Sequence, residues 1–222
     1  NEHVVGMVGM FAVTSIDAIG PYLQSKKIPV IGGSSARGVW YTDSNFFPTS
    51  VTPEGVAAGV GKNVINAGKK NLATFACSES TGCTSSAKDV QDSAVKQGLT
   101  NKDNFVVSSA NPSFTSQCSQ LKSDGVDAIA PFMDGASIQR IARDCKGIGY
   151  TPLISLAALS LNPDAAQDSN LAGTIALTSV FPWMTSETPA SQAYQAAMST
   201  YAPDTPPSEA SAQAWVGGAA LS

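Results

Sequence analysis

The sequence predicts an α/β fold with parallel, Rossmann-like sheets shared between two lobes, and three observations lead there. Short apolar runs of strand length alternate with segments of helical period along nearly the whole chain. The 222 residues are 43% hydrophobic and only 14% charged, enough to bury substantial cores and too apolar for disorder. Two irregular, proline-punctuated passages, "NFFPTSVTPEG" and "SVFPWMTSETPA", interrupt the rhythm as crossings between lobes do. Repeated β-α-β units require a mostly parallel sheet covered on both faces. Parallel neighbours can be joined only by crossovers, and these are right-handed.

Seven segments read as strands: "VVGMVGM", "IPVIGG", "NLATFAC", "NFVVSS", "VDAIAPFM", "TPLISL" and "GTIALTSVF". Between the first two lies the helical "TSIDAIGPYL". In "TPEGVAAGVGKNVINAGKK", Thr52 is placed to cap, Pro53 suits the first helical position, Val56, Val60 and Val64 recur on one face, and Gly68 ends the helix. "SSAKDVQDSAVKQG" stops at Gly98, and "SFTSQCSQLKSDG" runs from Ser113 to Gly125. "GASIQRIARDCKGIG" sets Ile138, Ile141, Ala142 and Cys145 on one face. After the second irregular passage, "SQAYQAAMSTYA" and "SEASAQAWVGGAALS" form two more helices. The expected division is residues 1–51 for a first lobe, 52–182 for a second, and 183–222 for helices returning to the first.

Composition removes several function classes. Thirteen basic against seventeen acidic residues give a net charge of −4, with no basic cluster beyond Lys26-Lys27 and Lys69-Lys70, so nucleic acid is not an expected partner. No run reaches the length of a membrane span. Asn1-Glu2-His3 leads directly into a strand pattern, so any export signal is expected outside these residues. Cys77, Cys83, Cys118 and Cys145 lack C-x-x-C spacing, and His3 is the only histidine, which argues against a metal centre. Two disulfides in an oxidising compartment, or four buried thiols, remain as readings of the cysteines.

Enzyme motifs fail one by one. Gly32-Gly33-Ser34-Ser35-Ala36 follows a strand and nearly matches a nucleophile elbow, but that motif needs a histidine downstream of the serine. His3 lies upstream. The glycines also lack the G-K-[ST] ending of a phosphate loop, and "GVAAGVG" has no preceding strand. Asp89 and Asp92 fall on a polar helix face and serve solubility. No cofactor is expected.

The order and spacing of the elements resemble the type I solute-binding proteins of ABC transporters, in the branch of branched-chain amino acid receptors. "VVGMVGMFAVTSIDAIGPYLQSKKIPVIGGSSA" looks like a strand pair of the first lobe, "FFPTSVTPEGVAAGVGKNVI" like the first crossover, and "CSQLKSDGVDAIAPFMDGASIQRIARDCKGIGYTPLI" like the heart of the second lobe. "ASAQAWVGGAALS" looks like the helix after the return. The resemblance implies a periplasmic-binding-protein type I fold whose first lobe is incomplete here, with possible self-association through uncovered apolar edges. It implies an extracytoplasmic receptor that captures a small molecule in the cleft between lobes and hands it to a transporter permease. A ligand-sensing regulatory domain on the same fold is the alternative, and a serine hydrolase a weaker one.

From the first lobe the resemblance points to Phe11, Ala12, Val13 and Thr14, where a helix opens, and to Gly33, Ser34 and Ser35, all suited to an anionic ligand end. Alternatively, Thr14 and Ser34 only cap a helix and a turn. From the second lobe come Ser80, Thr81, Phe132, Met133, Asp134 and Ala157, with Asp134 equally suited to capping "GAS" and Phe132 and Met133 to the core. Trp40, Tyr41 and Trp183 are expected either to roof the pocket or to pack under loops. Cys77 and Cys83 close the tight loop "CSESTGC", and Cys118 and Cys145 sit on successive helices of one sheet face, so those pairs are expected. Amino-acid receptors of this branch neutralise the ligand ammonium with an acid from the second lobe. The corresponding stretch, "LISLAAL", contains none, which predicts an organic acid, amide or aromatic ligand over leucine, isoleucine or valine.

Overall fold

The computed structural model describes residues 3–12, 15–34 and 37–221. The chain forms two compact units, one from Asn1–Pro53 with Thr178–Ser222 and the other from Glu54–Leu177. No helix among the described residues is long and apolar enough to cross a membrane.

Unit 1 is built on a three-stranded parallel sheet, β1 (Met7–Met10), β2 (Val30–Gly33) and β3 (Phe46–Phe47), in the order β1-β2-β3. The third strand lies inside the passage read above as irregular. It exists because Phe46 is buried edge-on against Trp40, with ring centroids 5.1 Å apart, and that anchor holds two residues in register with Val30 and Ile31. Trp40, in the short helix α2 (Val39–Thr42), is therefore core rather than a pocket roof. Helix α1 (Ile16–Ser25) adds Ile16 and Leu23 to the same cluster, with Met10 and Val30.

Two further helices, α7 (Pro189–Tyr201) and α8 (Glu209–Ala219), complete this unit. Each starts with a side-chain cap: Thr188 accepts from the Ser191 amide, and Ser208 and Ser211 form a reciprocal capping box. Helix α8 lies against the backbone of β1 and β2, an approach that small residues permit. A Cβ on Gly32, at φ +63°, would meet the Gly217 Cα at 2.4 Å. The Val51 amide donates to the Ser179 carbonyl at 2.9 Å, so the two crossover passages are joined within this unit.

Unit 2 carries a five-stranded sheet of order β5-β4-β6-β7-β8, every pairing parallel. Its strands are β4 (Asn71–Cys77), β5 (Thr100–Val107), β6 (Ala128–Phe132), β7 (Leu153–Ala157) and β8 (Ile175–Leu177). The run expected to form a strand over 173–181 is strand only over Ile175–Leu177. Strand alternation sorts the core into two layers. On one face Phe75, Ile129, Ile154 and Leu156 meet α5 (Thr115–Ser123) and α6 (Gly135–Gly147) through Phe114, Leu121, Ile138 and Ile141. On the other, Leu72, Ala128 and Ala130 meet α3 (Pro53–Asn66) and α4 (Thr81–Lys96) through Val60, Val64, Val90 and Ala94.

Both expected disulfides form. Cys118 and Cys145 join α5 to α6, with Cα atoms 5.0 Å apart. Cys77 and Cys83, 5.4 Å apart, staple the end of β4 to the first turn of α4. That helix begins four residues before the expected "SSAKDV" start, so Cys83 lies in a helix and not in a loop; Ser80 as N-cap makes the earlier start stable. Replacing both Cys118 and Cys145 by Ser is expected to cost unit 2 about 3.5 kcal/mol, against about 2 for the Cys77–Cys83 pair, because the closed loop is longer. Denaturant unfolding followed by far-UV circular dichroism checks the order; a larger loss from the short loop would contradict it.

Candidate functional site

Parallel strands place all their carboxyl ends on one edge of a sheet, and in open α/β sheets ligands collect there. In unit 1 that edge carries the segments leaving β1, β2 and β3. The β1 exit holds Phe11, which is exposed, and half-buried Ala12, whose carbonyl accepts from the Ile16 amide at 3.0 Å as α1 begins. Val13, Thr14 and Ser35 lie outside the described residues. Ser15 stands at the N-cap of α1 without a side-chain cap bond, whereas α4, α6, α7 and α8 all have one.

The β2 exit brings Gly33 and Ser34 beside that helix start. Gly33 presses on the Met10 backbone, and the Ser34 amide donates to the Met10 carbonyl at 3.0 Å. Ser34 is only 2% exposed, yet its Oγ has no hydrogen-bond partner among the described residues. A buried hydroxyl without a hydrogen bond is uncommon and calls for an explanation. The adjoining opening of a ten-residue helix supplies the favourable end of its dipole. Ser34 Oγ thus makes no capping hydrogen bond among the described residues.

Two groups at this edge are absent from the sequence reading. Arg37 Nη2 and Nε both donate to the Asp17 carboxylate in the first turn of α1, tying the segment after β2 to that helix. Thr49, just after β3, has a buried Oγ1 with no hydrogen-bond partner among the described residues, and a Cβ on Gly32 would stand 2.8 Å from it. The signal for Thr49 was its position after "FFP", hidden because a two-residue strand has no pattern of its own.

The carboxyl edge of unit 2 is better satisfied. Ser80 caps α4 by accepting from the Gly82 amide at 3.1 Å, and Thr81 is the exposed first residue of that helix. Glu79 accepts from Ser108 Oγ at 2.6 Å and from the Ser109 amide at 2.9 Å, bridging the exits of β4 and β5. The Ser108 hydrogen bond is the main influence holding its carboxyl below the usual range. Asp134 caps α6, accepting from the Ser137 amide at 3.0 Å and Ser137 Oγ at 2.6 Å. Partial burial works to raise its pKa, but those hydrogen bonds outweigh it and hold the carboxyl below the ordinary value.

Arg140 completes this cluster by donating to Ser137 Oγ at 2.9 Å and to the Ser109 carbonyl. Phe132 is half-buried against the α3/α4 core layer. Met133, expected in a pocket wall, instead turns into the α5/α6 layer with 5% exposure; the next position along the extended chain faces the opposite side from Phe132. Ala157 ends β7 half-buried and is followed by buried Ala158, so no acid stands there. Among the described residues no cluster of three or more metal-ligating side chains occurs.

Comparison with known proteins agrees with this architecture. The family model for periplasmic binding proteins matches residues 1–222. No curated protein sequence matches significantly. Among solved structures, a leucine-binding protein from Thermotoga maritima is similar with a TM-score of 0.83 at 18% identity, over 100% of this chain and 63% of its own. A solute-binding protein of an ABC transporter from R. palustris, in complex with 4-hydroxybenzoate, gives 0.81 at 16%, over 100% and 61%. A branched-chain amino acid ABC transporter protein from Thermus thermophilus with bound valine gives 0.76 at 17%, over 95% and 57%. The chain spans about three-fifths of the length of these structures, and at such identities their likeness concerns the fold. The matched family profile and the parallel-sheet architecture together place the chain among the periplasmic binding proteins, the family to which it belongs.

Proposed function

We propose that this chain is the ligand-capturing part of an extracytoplasmic solute-binding protein that serves an ABC transporter permease, and that it binds a small organic acid, amide or aromatic compound without transforming it. The observation that carries the reading is the orphaned Ser34 Oγ at the uncapped start of α1. A ligand carboxylate or carbonyl there would accept from the hydroxyl and from first-turn amides. Phe11, Ala12, Val13, Thr14, Gly33 and Ser35 are proposed as its surroundings. Ser80, Thr81, Phe132, Asp134 and Ala157 are proposed as the contribution of unit 2.

The ligand class follows from charge. A buried ammonium needs a counter-ion, since an unpaired charge in a water-excluding site costs several kcal/mol. Glu79 and Asp134, at the carboxyl edge of unit 2, already accept two protein hydrogen bonds each, and β7 ends in alanines. That disfavours an α-amino acid. The relatives include one holding 4-hydroxybenzoate and one holding valine, so both ligand classes occur on this fold. The two disulfides support an oxidising compartment. His3, the one histidine of the sequence, precedes the amino end of β1, whereas Ser34 follows the carboxyl end of the parallel β2, which disfavours it as the base of a hydrolase.

Isothermal titration calorimetry with benzoate, short aliphatic acids, their amides and the branched-chain amino acids tests the reading. Micromolar binding of an acid or aromatic compound is expected, weakened about tenfold or more by Ser34→Ala. Stability should move by less than about 0.5 kcal/mol, because the hydroxyl has no partner to lose. Tight binding of valine or leucine would instead mean that an acid was misplaced.

A further inference from the structure

Resting on the receptor reading above, we propose that Arg37 is the specificity-determining residue at the carboxyl edge of unit 1, and that it makes this edge a site for carboxylates in preference to amides. The Ser34 hydroxyl, the first-turn amides of α1 and the helix dipole carry only partial charges, so they separate a carboxylate from a neutral carbonyl weakly. A full positive charge separates them well.

Unit 1 has few such charges. Its basic residues are Lys26, Lys27 and Arg37, with none in the returning segment 178–222. Lys26 is the C-cap of α1 and Lys27 follows it, so both lie at the far end of a ten-residue helix, about 15 Å from its start. Arg37 is placed differently. It follows the β2 exit and reaches the first turn of α1, where its Nε donates to Asp17 Oδ2 at 3.2 Å and its Nη2 donates to the same oxygen.

The geometry of that pair leaves the guanidinium available. Both donors converge on one carboxylate oxygen, so the two-oxygen fork that strengthens an arginine–carboxylate pair is not formed. Nη1 makes no hydrogen bond among the described residues. The Arg37 and Asp17 side chains are 25% and 54% exposed, so water and salt screen their attraction. Asp17, a first-turn carboxylate, keeps its interaction with the helix dipole whether or not Arg37 stays. The nearby Asp43 is turned to the Asn45 amide at 2.9 Å and makes no ion pair with Arg37. Redirecting the guanidinium therefore costs little, and a ligand carboxylate at the start of α1 would accept from its unused Nη1.

Two roles for Arg37 separate by sign. If the pair only ties the segment after β2 to α1, removing either partner should act alike on every ligand. If Arg37 holds the ligand, Arg37→Gln and Asp17→Asn should act oppositely, and only on acids.

Calorimetry at low salt with benzoate, 4-hydroxybenzoate and pentanoate, each paired with its amide, makes the comparison. In the parent, at least one acid should bind more tightly than its amide. Arg37→Gln should weaken that acid about tenfold while the amide stays within about twofold. Arg37→Lys keeps the charge without the planar fork and should restore part of the preference, which also gives a reading should glutamine disturb the fold. Asp17→Asn should tighten the acid about threefold by releasing the guanidinium. Tryptophan emission reports that unit 1 stays folded in each variant. An acid-to-amide ratio unchanged in Arg37→Gln, amides bound as tightly as acids by the parent, or acid binding weakened or unmoved by Asp17→Asn would overturn the assignment and spare the receptor reading. No binding of any of these compounds by the parent would overturn both.

Discussion

Gly33→Ala is expected to prevent unit 1 from reaching its native fold. Gly33 has φ +125°, a region nearly closed to residues with a side chain. A Cβ there would stand 2.1 Å from the Met10 carbonyl oxygen and 2.6 Å from its nitrogen. Both contacts are backbone, so no side chain can swing aside. Met10 is the register partner of Gly33 in the β1–β2 pairing, and relief of the clash would break that pairing. Backbone strain with loss of strand pairing puts the cost above about 4 kcal/mol.

The readout is local, because Trp40, Trp183 and Trp215 all belong to unit 1 and unit 2 has no tryptophan. Red-shifted, solvent-exposed tryptophan emission in buffer is the expected result. Native emission with an unchanged denaturation midpoint would show that the β2 exit is not fixed by this contact. Ser34→Ala, one residue on, is the control that keeps the fold.

The same pair of glycines shows where sequence reasoning stops. Gly32-Gly33 after an apolar strand reads as an open mouth for a ligand, yet in the fold both glycines make room for protein: Gly32 for Gly217 in α8, and Gly33 for Met10. The partner of Gly32 is distant in the chain, so no local pattern announces it. What was legible was whatever rests on local periodicity or topology. Strand faces, the Pro53 start of α3 and the pairing of Cys118 with Cys145 follow from alternation, capping and right-handed crossovers.

Less was legible where elements are very short or parity decides. β3 is two residues long, Met133 takes the face opposite Phe132 just past a strand end, and "SESTGC" looks like a loop although Ser80 caps a helix there. For the candidate site the position of Ser34 was readable. Its buried, unpartnered hydroxyl was not, nor were Arg37 bonded to Asp17 and the hydroxyl of Thr49, because each depends on side-chain placement between segments.

Glu209→Ala is expected to cost unit 1 about 4 kcal/mol, since it would strand several partly buried donors at once. Glu209 is 3% exposed, which is unusual for a carboxylate and tolerated only with full hydrogen bonding. Its Oε1 accepts from the Ser179 amide at 2.8 Å and from Ser179 Oγ, and its Oε2 accepts from Trp183 Nε1 at 2.6 Å. As the first residue of α8 it also sits at the positive end of that helix dipole. One side chain therefore fixes the returning segment 179–183 to the helix that covers β1 and β2, and it explains why Trp183 is held by a hydrogen bond rather than presented to a ligand. Alanine would leave the Ser179 amide and the Trp183 indole unpaired. Glutamine, which keeps the shape but brings an NH₂ toward existing donors, should recover only part of the loss. Urea unfolding followed by tryptophan emission measures both variants against the parent, and a loss below about 1 kcal/mol for Glu209→Ala would show that water replaces the carboxylate without penalty.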